Sequence, residues 1–303
     1  MLGVNTVKVR VPGTTANCGP GFDSIGIACN IYNELELTLL KEDTVTIEIV
    51  GEGKNCIPCD KRNIIWKSIQ MLLRKAGQNY HGAHIKMVNN IPLARGLGSS
   101  AAAIVSGLMA ANIAIGNVFD KQVILQMATE IEGHPDNVAP AIFGGITLSI
   151  MKEKQAETLS FMPEGDLKLV VAIPSFNLST KAARKVLPAN ISIKDAVFNI
   201  SRTALLVGSL CKGDLTHLKN ALDDKIHQPY REQLIPGMQD VLQAAIQNGA
   251  LGAVLSGAGP CLIAFTTEHV NEIGEAMVAA FKVHNISSKY LELSIDQQGV
   301  RAI

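Results

Sequence analysis

Residues 92–112 read PLARGLGSSAAAIVSGLMAAN, a glycine-rich loop followed by a long run of small and aliphatic residues. Gly96 and Gly98 allow positive backbone φ and let a ligand approach the main chain closely. Residues 101–115 predict a helix that is too apolar to lie on a surface, so we expect it to be buried. Its N-terminus would present free N–H groups and the positive end of the helix dipole beside Ser99 and Ser100.

The residues of this stretch alone leave two interpretations open. A helix N-terminus after a glycine-rich loop binds phosphate, and the hydroxyls of Ser99 and Ser100 add donors or a magnesium ligand. The same pattern also suits an ordinary serine-capped helix after a glycine turn. It is not a Walker motif, because no lysine follows the second glycine and the spacing differs.

Outward from this stretch, strand and helix patterns alternate with short connections. Apolar alternation or apolar runs predict strands over residues 7–11, 31–40, 44–50, 84–88, 146–151, 167–173, 253–255, 261–265 and 288–293. Apolar positions three and four apart predict helices over residues 63–76, 101–115, 123–131, 193–211, 215–222, 238–248 and 269–284. The segment GHPDNVAP (133–140) is predicted as a loop. Polar residues 152–166 mark a domain boundary, which divides an α+β chain into residues 1–158 and 159–303.

Composition excludes several classes of function. The 303 residues carry 27 basic and 27 acidic side chains and are 47% hydrophobic, which fits a folded chain and gives no support for nucleic acid or a membrane as partner. Only 4% are aromatic while 26 are glycine, which favours chemistry by backbone over aromatic stacking. We find no targeting segment and predict a cytoplasmic protein. Cys56 and Cys59 form a lone C-x-x-C, which indicates a surface loop pair rather than a zinc site.

Two further glycine-rich segments are weak signals when each is taken alone. Residues 12–26, PGTTANCGPGFDSIG, hold Asn17 and Asp23 in a rigid turn, where they would contact a ligand or cap the turn locally. Residues 255–265, LSGAGPCLIAF, predict a tight hairpin between two apolar strands.

Together the three segments resemble the three motifs of the GHMP kinases, in family order across nearly the whole chain. Residues 92–102 resemble that family's Pro-x-x-x-Gly-Leu-Gly-Ser-Ser-Ala phosphate loop. The resemblance implies a two-domain α+β GHMP kinase fold, with a ribosomal-protein-S5-domain-2-like N-terminal domain and a ferredoxin-like C-terminal domain. It also implies ATP and Mg²⁺. The implied nucleotide-binding residues are Asn63, Pro92, Leu93, Ala94, Arg95, Gly96, Leu97, Gly98, Ser99, Ser100, Ala101 and Ala102.

Within this family the chain is most similar to the homoserine kinases. The resemblance rests on TTANCGPGFDSIGIA (14–28), EGHPDNVAPAIFGG (132–145), STKAARKVLP (179–188) and PYREQLIPG (229–237). Cys18 is a mild departure, since relatives more often have an aliphatic residue there. The resemblance implies transfer of the ATP γ-phosphoryl to the side-chain hydroxyl of L-homoserine, a step toward threonine, by a homodimer.

The chemistry of that substrate assigns roles to the matching residues. A carboxylate, an ammonium and a hydroxyl need fixed cations, a fixed anion and hydrogen-bond partners. The predicted substrate-binding residues are Asn17, Asp23, His134, Asp136, Arg184 and Arg231. The predicted catalytic residues are Asp23, Asn137 and Arg184, and the predicted magnesium ligands are Ser100, or its neighbour Ser99, and Glu132. We expect Asp136 to be mainly structural, with the phosphate or water accepting the hydroxyl proton.

Two alternatives stay open from the sequence. One is another small-alcohol kinase of the same family, of mevalonate or shikimate type, which would not need a partner for an ammonium. The other is a relative that binds a ligand without catalysis, against which the intact Ser99, Ser100 and Glu132 speak.

Overall fold

Two β-sheets organise residues 6–303, the part of the chain that the computed structural model describes. The first sheet contains β1 (Thr6–Asn17), β2 (Gly21–Leu40), β3 (Val45–Gly51), β4 (Gly82–Asn89), β5 (Ile146–Lys152), β6 (Gln155–Phe161) and β11 (Arg301–Ala302). The second contains β7 (Lys168–Pro174), β8 (Gly252–Leu255), β9 (Leu262–Thr266) and β10 (Ser288–Ser294). Strand patterns therefore appear where the apolar alternation predicts them, and two-domain α+β architecture is confirmed.

The long strand β2 organises the first sheet. It pairs with β1 on one side, and its two halves pair with different strands on the other, residues 25–27 with β5 and residues 33–40 with β4. The sheet runs β11-β1-β2-β4-β3, and β3 and β4 are its parallel pair. The second sheet, β10-β7-β9-β8, is antiparallel throughout.

Ten α-helices pack on these sheets within the described residues. They are α1 (Ile64–Lys75), α2 (Ser99–Ala114), α3 (Lys121–Glu132), α4 (Pro135–Phe143), α5 (Thr180–Lys185), α6 (Ile193–Lys212), α7 (Leu218–Ala221), α8 (Gln228–Arg231), α9 (Met238–Gln247) and α10 (Val270–Val283). From residue 6 onward, no helix is both long and apolar enough to cross a bilayer.

Helix α2 lies in the middle of the first domain, as its composition predicts. It packs against α1, α3, α4, β1 and β2, and Val105 and Leu108 are fully buried. Burying each such side chain contributes roughly 1.5–3 kcal/mol. The core therefore fixes the position of the helix, and with it the place where the glycine-rich loop meets its N-terminus.

The prediction of a loop at residues 133–140 is wrong, because most of this segment forms α4. Pro135 occupies the first turn, where the missing N–H has no intrahelical acceptor to lose. Pro140 lies inside the helix and removes one hydrogen bond, to the carbonyl of Asp136. Gly26 of β2 lies against that carbonyl, since an added Cβ would come within 1.9 Å of it. Two prolines thus signalled a loop where tertiary packing supports a helix.

The chain passes from the first sheet to the second slightly beyond residue 158, where the sequence places the division between the two domains. Strand β6 was not predicted, because its residues are mostly polar and exposed on an edge hairpin with β5. The first sheet therefore continues to Phe161, and the second begins at Lys168, so the connection lies at the end of the polar interval 152–166. The chain also returns at its C-terminal end, where β11 pairs with β1.

Candidate active site

The glycine-rich loop leads into α2 as predicted, with Ser99 and Ser100 in the first helical turn. Gly98 precedes the helix with φ +67°, and an added Cβ would lie 1.9 Å from the hydroxyl oxygen of Thr14 on β1. Gly96 has φ +81°, and its added Cβ would lie 2.1 Å from the carbonyl oxygen of Ser256. Both positions therefore require glycine for backbone conformation and for close packing.

The turn between β8 and β9 braces this loop. The Ser256 hydroxyl donates to the carbonyl of Gly96 at 2.6 Å and lies 2.8 Å from the Thr15 hydroxyl of β1. The backbone N–H of Cys261 donates to the carbonyl of Arg95 at 3.2 Å. The third glycine-rich segment is thus a hairpin, as predicted, whose turn fixes the loop from the second domain.

Ser100 and Glu132, the two predicted magnesium ligands, meet at the ends of two helices. The Ser100 hydroxyl donates to Glu132 Oε2 at 2.8 Å. Glu132 is the last residue of α3, and Gly133 ends the helix in a left-handed conformation with φ +97°. The pair places a hydroxyl and a carboxylate, oxygen donors of the kind a hard cation prefers, beside the first turn of α2.

The turn between β1 and β2 carries Asn17 and Asp23 in left-handed conformations, with φ +70° and +56°. Such conformations cost a non-glycine residue roughly 1–3 kcal/mol and concentrate at functional sites. The Asn17 amide is engaged at both ends, since Oδ1 accepts from the N–H of Asp23 and Nδ2 donates to the carbonyl of Gly257. Asn17 therefore holds the turn in shape and connects it to the second domain.

Asp23 and Arg184 form a two-pronged ion pair. Arg184 Nη2 lies 2.6 Å from Asp23 Oδ1, and Nη1 lies 3.0 Å from Oδ2. The pair joins β2 of the first domain to α5 of the second. Both groups are about one-third exposed, so a ligand can reach them.

Arg231 lies behind this pair and is almost fully buried. Its Nε donates to the carbonyl of Ala183 at 3.2 Å, and its Nη1 donates to the carbonyl of Gly257 at 3.0 Å, which leaves Nη2 as the donor for a ligand. Burial, and then the charge of Arg184, lower the pKa of Arg231 to about 10, so it stays charged at neutral pH. The guanidinium carbons of Arg184 and Arg231 lie 5.5 and 5.3 Å from the Phe22 ring centre.

His134, Asp136 and Asn137 approach the same place from the start of α4. Asp136 is buried and accepts a short hydrogen bond from His134 Nδ1. Burial alone lowers the pKa of His134, but the hydrogen bond and the charge of Asp136 outweigh it and raise the pKa overall. Asn137 Oδ1 accepts from the Thr14 hydroxyl at 2.7 Å. Because Thr14 also lies against Gly98, Asn137 is placed next to the point where the glycine-rich loop packs on β1.

One group of three potential metal ligands comes together among residues 6–303, and it belongs to this cluster. The ligand atoms of Asp23, His134 and Asp136 lie within 4.8 Å of one another. Arg184 already engages both oxygens of Asp23, and a fixed guanidinium beside the group disfavours a cation there. A metal ion would displace Arg184 from Asp23 and leave the guanidinium unpaired, whereas a zwitterionic ligand brings a carboxylate for Arg184 as well as an ammonium for Asp23.

Other predicted positions lie at the edge of the site or outside it. Asn63 caps α1, accepting from the N–H of Ile65 and donating to the carbonyl of Pro58, so its amide serves the helix start. Its contact with nucleotide stays a prediction. Cys56 and Cys59 are exposed free thiols in the loop before α1, as expected for a surface pair.

Comparison with known proteins agrees with this geometry. The family model "GHMP kinases N terminal domain" matches residues 63–145, and "GHMP kinases C terminal" matches residues 206–283. A glycine-rich loop at a helix N-terminus, braced from a second α+β domain, together with these matches defines the class: the protein is a GHMP kinase.

Similarity over the full length narrows the class. Homoserine kinase of Desulfitobacterium hafniense is 42% identical over 98% of this chain and 100% of its own, and that of Moorella thermoacetica is 43% identical over 97% and 99%. The crystal structure of homoserine kinase from Cytophaga hutchinsonii has a TM-score of 0.92 at 33% identity and covers 100% of this chain and 99% of its own. The chain belongs to the homoserine kinase family.

Proposed function

We propose that the protein transfers the γ-phosphoryl group of ATP to the side-chain hydroxyl of L-homoserine, giving O-phospho-L-homoserine and ADP. The observation that carries this proposal is the accessible Asp23–Arg184 pair next to a phosphate-binding helix N-terminus. An anion and a cation at hydrogen-bond distance match the ammonium and carboxylate of an amino acid. The relatives at about 40% identity carry the same activity in their names.

Binding of the substrate is an exchange of ion pairs. The ammonium of homoserine replaces Arg184 on the Asp23 carboxylate, and the carboxylate of homoserine replaces Asp23 on the Arg184 guanidinium. Each charge thus keeps a partner through the exchange, which limits the desolvation cost. Arg231 adds a second positive charge on the carboxylate side, and His134 offers a hydrogen bond from the first domain.

Phosphoryl transfer at this site depends mainly on positioning and on charge stabilisation. The N–H groups at the start of α2 and the hydroxyls of Ser99 and Ser100 face the phosphates. Asn137, next to Thr14 at the loop, orients the homoserine hydroxyl. Asp136 is buried and bound to His134, so it orients that ring and does not accept the hydroxyl proton, which passes to a phosphate oxygen or to water.

Ser100 and Glu132 would hold Mg²⁺, which when bound neutralises part of the phosphate charge. We expect Glu132→Gln to raise the Mg²⁺ concentration for half-maximal rate about 10-fold or more, because a neutral amide replaces a charged oxygen donor. Glu130→Gln, on the exposed face of the same helix, is the matched control and should leave that concentration unchanged. An Mg²⁺ titration at saturating ATP that gives identical curves for both variants would remove Glu132 from the metal site.

The test of the reaction itself is a substrate panel. The purified protein with ATP and Mg²⁺ is offered L-homoserine, mevalonate and shikimate, and ADP release and the phosphorylated product are measured. We expect turnover with L-homoserine at least about 100-fold above the others, because only an amino acid satisfies both Asp23 and Arg184. Preference for another alcohol, or binding without turnover of any, would overturn the proposal in favour of the two alternatives.

The proposed enzyme is a homodimer, and helix α6 supports this assembly. Its inner face is buried, but Ile193, Val197 and Ile200 on its outer face are 82%, 58% and 68% exposed. Gly208 continues this stripe, and a Cβ there would meet open space. Glycine costs a helix about 1 kcal/mol, and no atom of residues 6–303 lies close enough to Gly208 to require a glycine there. A small residue on an apolar stripe lets the same helix of a second copy approach closely across a two-fold axis.

The dimer is tested at the centre of this stripe. We expect Ile200→Glu to convert the dimer to a monomer, because it would bury two unpaired carboxylates at a two-fold contact. Val283→Glu on α10, where Val283 is 78% exposed, is the control that should keep the dimer. Molar mass from light scattering measures both. A wild-type monomer, or an Ile200→Glu dimer, would contradict this assembly.

A further inference from the structure

His227 lies fully buried between two parts of the proposed homoserine site. Its Nε2 is 2.6 Å from the carbonyl oxygen of Gly19, in the turn between Asn17 and Asp23. Its Nδ1 is 3.3 Å from Arg231 Nη1. A carbonyl only accepts and a guanidinium only donates, so Nε2 carries the proton and Nδ1 is a bare acceptor. The two neighbours therefore define one neutral tautomer of the ring.

Asp224 fixes the start of the segment that carries this ring. Its carboxylate accepts from the backbone N–H groups of Ile226, His227 and Gln228 at 2.9, 2.9 and 2.6 Å. It also accepts from Asn199 Nδ2 at 2.7 Å, which ties it to α6. The Phe22 ring stacks on the imidazole at 5.2 Å between centres. The ring is thus held on its edges and on one face.

We propose that His227 is a positioning residue, which sets the separation between the turn that presents Asp23 and the guanidinium of Arg231. Asp23 takes the ammonium of the substrate and Arg231 acts on its carboxylate, so this inference rests on the proposed function. One rigid imidazole joins β1–β2 of the first domain to α8 of the second, beside the Gly257 carbonyl, which accepts from both Asn17 and Arg231. It therefore aligns both ends of the amino acid without touching it.

The charges around the ring give the arrangement a pH dependence. The ring is faced by Asp224 from the preceding loop, by Arg231 from α8 and, less directly, by Asp23 from β2. Burial lowers the pKa of His227, and Arg231 lowers it further while Asp224 opposes both. Protonation would occur at Nδ1 and would set a second cation against Arg231. The link is therefore intact at neutral pH and is lost as the pH falls through the lowered pKa.

Two substitutions separate this role from a merely structural one. In His227→Gln the amide nitrogen can still donate to the Gly19 carbonyl, but the acceptor for Arg231 is lost. In His227→Asn the amide oxygen can still accept from Arg231, but the donor to Gly19 is lost. We expect each variant to raise the KM for L-homoserine about 10-fold, the order expected when a buried donor or acceptor loses its partner. The KM for ATP should stay within about two-fold, since the phosphate loop is untouched. Neither amide titrates, so the rise in homoserine KM at a pH below the ordinary histidine range, where His134 is already protonated, should disappear.

The control is His284→Gln, since His284 pairs with Asp240 away from the site and should change neither KM. Equal rises in both KM values, or an acidic limb that persists in the variants, would overturn the inference. Should the variants not fold, calorimetric binding to the wild type decides: below the ordinary histidine range, where His134 is already protonated, homoserine affinity must fall while ADP affinity does not. If the wild type is inactive on L-homoserine, the proposed function is overturned and this inference with it. If the wild type is active and both variants have the same homoserine KM as the wild type, only this inference is overturned.

Discussion

Replacement of Gly98 by valine is expected to abolish nucleotide binding, and with it phosphoryl transfer. The residue combines φ +67° with a Cβ position 1.9 Å from the Thr14 hydroxyl oxygen. A branched side chain cannot satisfy both constraints, so the loop must move away from β1 and carry the first turn of α2 with it. The N–H groups that face the phosphates would then lose their common direction. We expect ADP affinity, measured by calorimetry, to fall at least about 100-fold, as when two or more charge-assisted hydrogen bonds are lost.

Gly116→Val separates backbone strain from packing. Gly116 also has positive φ, at +95°, but an added Cβ there meets nothing within 4 Å. This variant should bind ADP normally even if its melting temperature falls by a few degrees. Gly98→Ala introduces a smaller side chain. Its ADP affinity, measured on the folded fraction, should lie between those of Gly98→Val and Gly116→Val. Full ADP affinity in a folded Gly98→Val variant would refute the assignment of this loop to phosphate.

Most of the fold was predictable because its elements follow local rules. The predicted helix over 63–76 is α1 with its two caps, since Asn63 caps the start and the apolar spacing runs to the end. The failures have tertiary causes. Pro140 is tolerated in α4 because the helix packs against β1, β2, β5 and α3, and β6 is polar because it is an edge strand. A hydrophobic pattern read over a short stretch of sequence shows neither the tertiary packing of α4 nor the edge position of β6.

The sequence suggests individual residues for the site only where those residues lie within a motif. Ser100 and Glu132 are 32 positions apart in sequence, yet their side chains form a hydrogen bond, and their binding of Mg²⁺ stays a prediction. His227 was missed, because its partner Gly19 lies 208 positions away and a buried histidine has no local signature. Asp224 was the available signal. An aspartate before a turn or a helix start typically accepts hydrogen bonds from backbone N–H groups a few residues further on, as Asp224 does.

The exchange of ion pairs at Asp23 and Arg184 makes the most discriminating prediction. Asp23→Asn and Arg184→Gln are each expected to lower kcat/KM for L-homoserine by about 100- to 10,000-fold. Each substitution removes charge-assisted hydrogen bonds worth roughly 1.5–3 kcal/mol apiece and leaves the partner charge unpaired. An exposed pair provides the control: Asp60→Asn, which breaks the surface contact with Arg62, should change kcat/KM less than two-fold.

Truncated substrates assign each charge separately. 4-Hydroxybutyrate is homoserine without its ammonium, and 3-aminopropanol is homoserine without its carboxylate. If Asp23 binds the ammonium, Asp23→Asn should cost little with 4-hydroxybutyrate, measured as kcat/KM or as an inhibition constant against homoserine. Arg184→Gln should likewise cost little with 3-aminopropanol. Equal losses for all three ligands would mean that the pair supports the fold of the site and that neither group binds substrate.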